Sequence, residues 1–194
     1  MARDFRINGE SLITVKGRQG SLLEDLQELG LTYTDVRIFP RFHHKDVLID
    51  SYGPRMPADV ISYGMEALIQ MTLIHYDREV LNACLGESVG IDTVQLEVPD
   101  GRPSKGGTML GGQKAFGSED NHFISVTITS PVERHPWRFP TSYVTGEIME
   151  IPLGTKATII QIIWRAIPYQ KVSSSGDEEI LPQNGKVWDH TADT

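Results

Sequence analysis

The chain has one cysteine, Cys84, in 194 residues. That excludes an intrachain disulfide and any zinc site of the finger or ribbon kind, which needs several thiolates. It has no apolar run near the ~18 residues of a membrane-spanning helix, and Met1 to Arg6 carries no apolar signal core. Positive charge is also short. Eighteen Lys and Arg stand against 26 Asp and Glu, a formal net charge of −8. A domain that grips nucleic acid through its phosphates carries a basic stripe, so the balance argues against that class. Hydrophobic residues at 39% and charged residues at 23% are ordinary for a globular domain and too apolar for a disordered one. The length suits one domain with its own core, without metals or cross-links.

Eighteen glycines and 11 prolines cut the chain into short segments, the punctuation of a mainly β domain. Leu12 to Lys16 reads as a strand. Ser21 to Gly30 reads as a short helix: Ser21 as cap, Glu24 completing a capping box, Leu22, Leu23, Leu26 and Leu29 on one face, Gly30 as terminator. Asp35 to Phe39 and Asp46 to Asp50 look extended. Ser51 to Asp59 holds two prolines and reads as a turn-rich connection. In Glu66 to Tyr76, Ala67, Ile69, Met71 and Leu73 alternate with Gln70 and Thr72, a strand pattern. Asp77 can cap a helix through Leu85 that Gly86 ends. Thr93 to Val98, Phe123 to Thr129 and Ala157 to Ala166 read as strands, the last two rich in β-branched residues. Residues 100–121 form a long connection without sustained periodicity, the kind that is often functional.

Candidate chemistry is sparse. Gly106 to Lys114 is glycine-rich, but it lacks the Gly-Lys-Ser/Thr ending of a phosphate loop, and Ala115 has no hydroxyl for a magnesium ion. A surface loop is the simpler reading. His43 and His44 are adjacent, so in a strand they point to opposite faces and do not converge on one ion. Ser130, Glu133 and His135 lack the sharp elbow of a serine hydrolase, because Pro131 makes that segment a turn. Cys84 falls on the apolar face of the expected helix, where a cysteine acts as a small hydrophobe. Arg134 to Pro140, with Trp137 and Phe139, reads either as core packing or as a contact between subunits. The final residues 171–194 hold two Lys and five Asp and Glu, so −3 of the −8 sits in an acidic polar tail and the rest in residues 1–170.

The order of segments resembles a known family. Asp50 to Ile61, Gly64 to Asp77 and Val80-Leu81 form one part of the pattern; Phe139 to Val144, Pro152 to Lys156 and Ile160 to Tyr169 form the other. Together, over residues 30–170, they resemble tail tube proteins of tailed bacteriophages and related virion structural proteins. The resemblance implies a β-sandwich or barrel with one or two short flanking helices and long loops. It implies a non-enzymatic subunit without cofactor or metal, found in the phage tail and assembled in the host cytoplasm. Its partners are copies of itself, in stacked and typically hexameric rings, and other phage tail proteins. DNA passes through the bore without specific binding, and no membrane is involved. Long loops or hairpins reach the next ring.

On that basis the candidate inter-subunit loop is Lys105, Met109, Leu110, Gln113, Lys114 and Phe116. A second candidate interface combines Arg41, Tyr52, Arg55 and Met56 with Trp137, Arg138 and Phe139. Acidic side chains on a bore would repel DNA phosphates, and Asp35, Asp46, Asp50, Glu66 and Glu97 are the candidates. Two other readings stay open: a head decoration or neck protein, and a small β-fold enzyme or ligand-binding module built on the Gly106 to Lys114 loop.

Overall fold

The computed structural model describes residues 5–48, 57–89, 122–145, 159–168 and 187–190. These form β1 (Phe5–Ile7), β2 (Leu12–Lys16), β3 (Gln27–Thr32), β4 (Val36–Leu48), β5 (Pro57–Tyr76), α1 (Arg78–Val89), β6 (Ile124–Thr129), β7 (Trp137–Val144) and β8 (Ile160–Ala166). The expected strand Thr93 to Val98, the connection 100–121 and the first two residues of the expected strand Ala157 to Ala166 lie outside the described residues.

All strand pairs are antiparallel, in the order β1-β4-β5-β3-β2-β6-β7-β8. β8 returns to pair with β5, so β5-β3-β2-β6-β7-β8 closes into a six-stranded barrel, with β4 and β1 outside it. Closure removes the sheet edges that would otherwise stay open. β5 makes this possible by its length of 20 residues. Its C-terminal end pairs with β3, its middle with β8 on one side and β4 on the other. The amide of Tyr33 donates to the carbonyl of Thr72, which carries the β3 path along β5 into β4.

The alternation in the sequence is the alternation of the wall. Ala67, Ile69, Met71 and Leu73 face the core from β5; Ile124, Val126 and Ile128 from β6; Ile160, Ile162, Trp164 and Ala166 from β8. Trp164 and Phe139 are its largest fully buried side chains. α1 lies against β7, β3 and β6 and adds Leu81, Ala83 and Cys84 to the same core. Asp77 caps it, its Oδ1 accepting from the amides of Glu79 (2.8 Å) and Val80 (3.1 Å). The helix runs past Gly86 to Val89. A single interior glycine costs only about 1 kcal/mol, and Ser88 holds the extra turn to β7. Its hydroxyl donates to the Cys84 carbonyl at 2.7 Å and accepts the Val144 amide at 2.8 Å.

Three expectations are corrected. Ser21 to Gly30 is not a helix. Residues 19–25 make turns and β3 begins at Gln27. The capping groups work there as turn groups: Ser21 Oγ accepts from the Leu23 amide and Glu24 Oε2 from the Gly20 amide. Leu23 and Leu29 are buried while Leu22 and Leu26 stand exposed, so the four leucines do not share a face. Pairing with both β2 and β5 outweighs local helix propensity. The proline-rich connection also ends earlier than expected, because β5 starts at Pro57, the first strand position, where proline is tolerated. Finally, Trp137 to Pro140 belongs to β7, and β1 adds a short strand that the sequence pattern did not mark.

Candidate functional site

β4 and β5 continue together beyond the barrel. The β5–β8 ladder ends at Ala67↔Ala166, and the β1–β4 ladder ends at Ile38. From Arg41↔Glu66 to Leu48↔Pro57 the two strands pair only with each other among the described residues. Eight residues of β4 make this arm about 25 Å long. Register shifts between His43 and His44 and between Val47 and Leu48 give the ribbon local irregularity. Pro40 sits just past the end of β1, in an edge stretch, where a missing amide proton is tolerated.

The arm carries exposed apolar side chains. Phe42 is 57% exposed, Val60 50% and Ile61 48%. The Phe42 ring stacks on His44 at 6.3 Å, on the face opposite His43. Asp46 is exposed and lies across from Val60.

At the root of the arm sits a buried carboxylate. Glu66 accepts from Arg165 Nε at 2.7 Å and also pairs with Arg165 Nη2. Arg41 Nη1 is 3.8 Å from its Oε1 and His43 Nε2 is 3.7 Å from its Oε2. The hydrogen bond to Glu66 holds the Arg165 guanidinium above its ordinary pKa, with Tyr143 adding to the effect and burial opposing it. Glu66 is thus buried and ion-paired to Arg165 of β8, with Arg41 and His43 of the arm at longer range.

A second buried carboxylate, Glu87 of α1, is met by Arg18 and His122. Arg18 Nε donates to Oε1 at 2.9 Å and to Oε2 at 3.1 Å, and His122 Nδ1 lies 2.6 Å from Oε2. All three side chains are nearly or fully enclosed. The two described grooves do not reach them. One, of about 480 Å³, is lined by Thr34, Asp35, Arg37, Gln70, Thr72 and Gln161, and the other lies along Gly30, Leu31, His75 and Tyr76. The arrangement clamps α1 to the β2–β3 connection and to the entry of β6. It is structural chemistry, a charge held by two donors. Burial also pushes the Cys84 thiol far up, so it is not a thiolate nucleophile.

The other candidate residues distribute as follows. Phe139 is fully buried in the core, which answers the choice left open for it in favour of packing. Trp137 and Arg138 meet the C-terminal residues 187–190, which dock on β7. Val187 of the polar tail is fully buried there. Arg41 is exposed on the arm. Asp35 Oδ1 accepts from the Gly9 amide at 3.3 Å. Ser130 donates to the Asn8 carbonyl at 3.0 Å, while His135 packs edge-on against His190. Tyr52, Arg55, Met56, Asp50, Glu97 and the loop residues Lys105, Met109, Leu110, Gln113, Lys114 and Phe116 lie outside the described residues. Among the described residues no three His, Cys, Asp or Glu side chains are placed to hold a metal ion. Glu66 was a candidate on other grounds, but the ion pairs of Glu66 and Glu87 escaped sequence reasoning because Arg165 and Arg18 lie 99 and 69 residues away.

No protein-family model matches the chain, and no curated protein matches it either.

Proposed function

We propose that this chain is a structural subunit that associates with copies of itself into stacked rings, the tail tube of a tailed bacteriophage, through which DNA passes. The observation that carries the reading is the β4–β5 arm. It is a two-stranded ribbon that leaves the barrel with Phe42, Val60 and Ile61 exposed and with both outer backbone edges unpaired among the described residues. Natural monomers cover or blunt such edges. A subunit that completes its edges and its apolar surface with a neighbour has reason to keep them.

Three further points support it. The barrel wall is a continuous antiparallel sheet of the kind the tail tube resemblance implies. The paired carboxylates Glu66 and Glu87 are both occupied in holding elements together, which suits a mechanical part. The acidity of −8 opposes adhesion to DNA phosphates.

Electron microscopy of the purified chain across a concentration series tests the proposal. Rings that stack into hollow tubes are the expected result. A chain that stays monomeric at every concentration, or that forms only isolated trimers as a decoration protein would, overturns it.

A further inference from the structure

The edge of β7 carries a second, separate relationship. Trp137 to Phe139 pair with β6 on one side, through Ile128↔Trp137, Thr127↔Arg138 and Val126↔Phe139. β8 pairs only with the later residues Ser142 to Val144. The β8 side of Trp137 to Phe139 is filled by the C-terminal segment. The Arg138 amide donates to the Asp189 carbonyl and the Asp189 amide to the Arg138 carbonyl, each at 2.8 Å. In an antiparallel ladder the amide and carbonyl of one residue point the same way, so this pair of bonds completes Arg138.

Side chains fix the register. Val187 is fully buried. The Trp188 ring lies 6.3 Å from Trp137 and 6.4 Å from Phe139. The His190 ring stacks on Trp137 at 4.3 Å, with Nδ1 3.4 Å from the Pro136 carbonyl and Nε2 3.7 Å from Glu133. The β7 edge thus forms a groove that takes a short extended segment: a buried aliphatic residue, an aromatic beside it, and an imidazole two positions further on. This is recognition by strand addition, with backbone bonds for affinity and side-chain contacts for selection.

The length of chain before the occupant leaves room for it to come from another copy. Residues 169–186, eighteen residues, stand between it and the last described residue after β8. A linker of that length spans up to about 60 Å when extended. The same contacts form whether the segment comes from its own chain or from another, so exchange between copies costs no interaction. Packed subunits raise the local concentration of neighbouring segments to the millimolar range, about that of a tethered one.

We propose that the β7 edge is a strand-acceptor site that, when copies meet, takes the Val187–His190 segment of a second copy and links the two. The inference rests on the self-association proposed above, but not on the tube form. Arg138→Cys combined with Asp189→Cys tests it in the full chain, since paired residues in such a ladder lie about 5.5 Å apart, within disulfide reach. After oxidation at assembling concentrations, denaturing non-reducing gels are expected to show covalent dimers and a higher ladder, absent in either single variant. Cross-links confined to single chains, or no cross-link at all, overturn the exchange.

A second measurement does not need assembly. A chain ending at Gly185 is expected to bind a synthetic peptide of Lys186 to Thr194 saturably, and not the peptide carrying Trp188→Ala. A truncated chain that keeps its strand circular dichroism yet binds neither peptide removes the acceptor site. Covalent dimers without tubes would retain the exchange and remove the tube reading. Tubes with intrachain cross-links only would do the reverse.

Discussion

Arg165 of β8 donates from Nε to Glu66 of β5 at 2.7 Å, across 99 residues of sequence, at the point where the barrel wall becomes the arm. The contact ties the last rung of the β5–β8 ladder, Ala67↔Ala166, to the first rung of the free ribbon, Arg41↔Glu66. Arg165→Met strands a buried carboxylate with only Arg41 and His43 at longer range. The expected loss is about 1–3 kcal/mol, below the value for a fully enclosed pair because Arg165 is 41% exposed. Glu66→Gln and Arg165→Met together should cost less than the two separate losses combined. A double-mutant cycle from urea unfolding checks this, and strict additivity would remove the coupling.

Gly30→Ala is expected to be among the most damaging single changes. Gly30 has φ +151°, and an added Cβ would meet the His75 carbonyl oxygen at 1.8 Å, where β3 crosses β5. A backbone atom cannot yield as a side chain can. The prediction is a loss above about 3 kcal/mol or failure to fold, beyond the usual range for single substitutions. Gly20→Ala serves as the control: its φ of +79° makes alanine costly by about 1–2 kcal/mol, but open space around the Cβ adds no clash, so the loss should be smaller than at Gly30.

Glu87→Gln should loosen α1 from the barrel. It removes the carboxylate that accepts twice from Arg18 and faces His122 at 2.6 Å. We expect a loss of about 2–4 kcal/mol and faster hydrogen exchange across Arg78 to Val89 than across β5. Equal exchange in both elements would mean that the clamp does not hold the helix.

Cys84 predicts an alkaline effect with a definite sign. Its thiol is held protonated in the fold by burial first, and then by the charge of Glu87. The unfolded thiol titrates near its ordinary value of 9.0. Stability from this group is therefore present below about pH 9 and falls as pH rises above it, by about 1.4 kcal/mol per pH unit. Denaturant midpoints from pH 8 to 10.5 should fall more steeply for the native chain than for Cys84→Ala. Parallel curves would contradict the buried-thiol account. A thiol reagent should react only on unfolding.

Phe42→Ser with Ile61→Thr addresses the arm. Both side chains are half exposed, so the monomer should lose no more than about 0.5 kcal/mol. Self-association measured by analytical ultracentrifugation should drop at least tenfold. Unchanged association would show that the arm's apolar side chains are not the contact.

Much of the wall was legible in the sequence. The alternation in Glu66 to Tyr76, Phe123 to Thr129 and Ala157 to Ala166 marked β5, β6 and β8 and the faces they bury, because a pleat puts every second residue on one side whatever it pairs with. Asp77 marked the start of α1 for an equally local reason, a side-chain oxygen within reach of the next amides. Charge and glycine–proline punctuation marked an acidic, mainly β chain.

What the tertiary structure alone decided is which neighbour each element meets. Ser21 to Gly30 carries sound helix signals, yet its second half becomes β3, because pairing with β2 and β5 outweighs a few tenths of a kcal/mol of propensity per residue. The partners of Glu66 and Glu87 are 99 and 69 residues distant, and no local period encodes a meeting at that range. Trp188 stood out in a polar tail, but only the β7 edge beside Trp137 to Phe139, where Arg138 pairs with Asp189, gives it a place. Closure of β8 onto β5 has the same character: strand pattern sets which face is buried, and long-range hydrogen bonding sets which strand lies beside which.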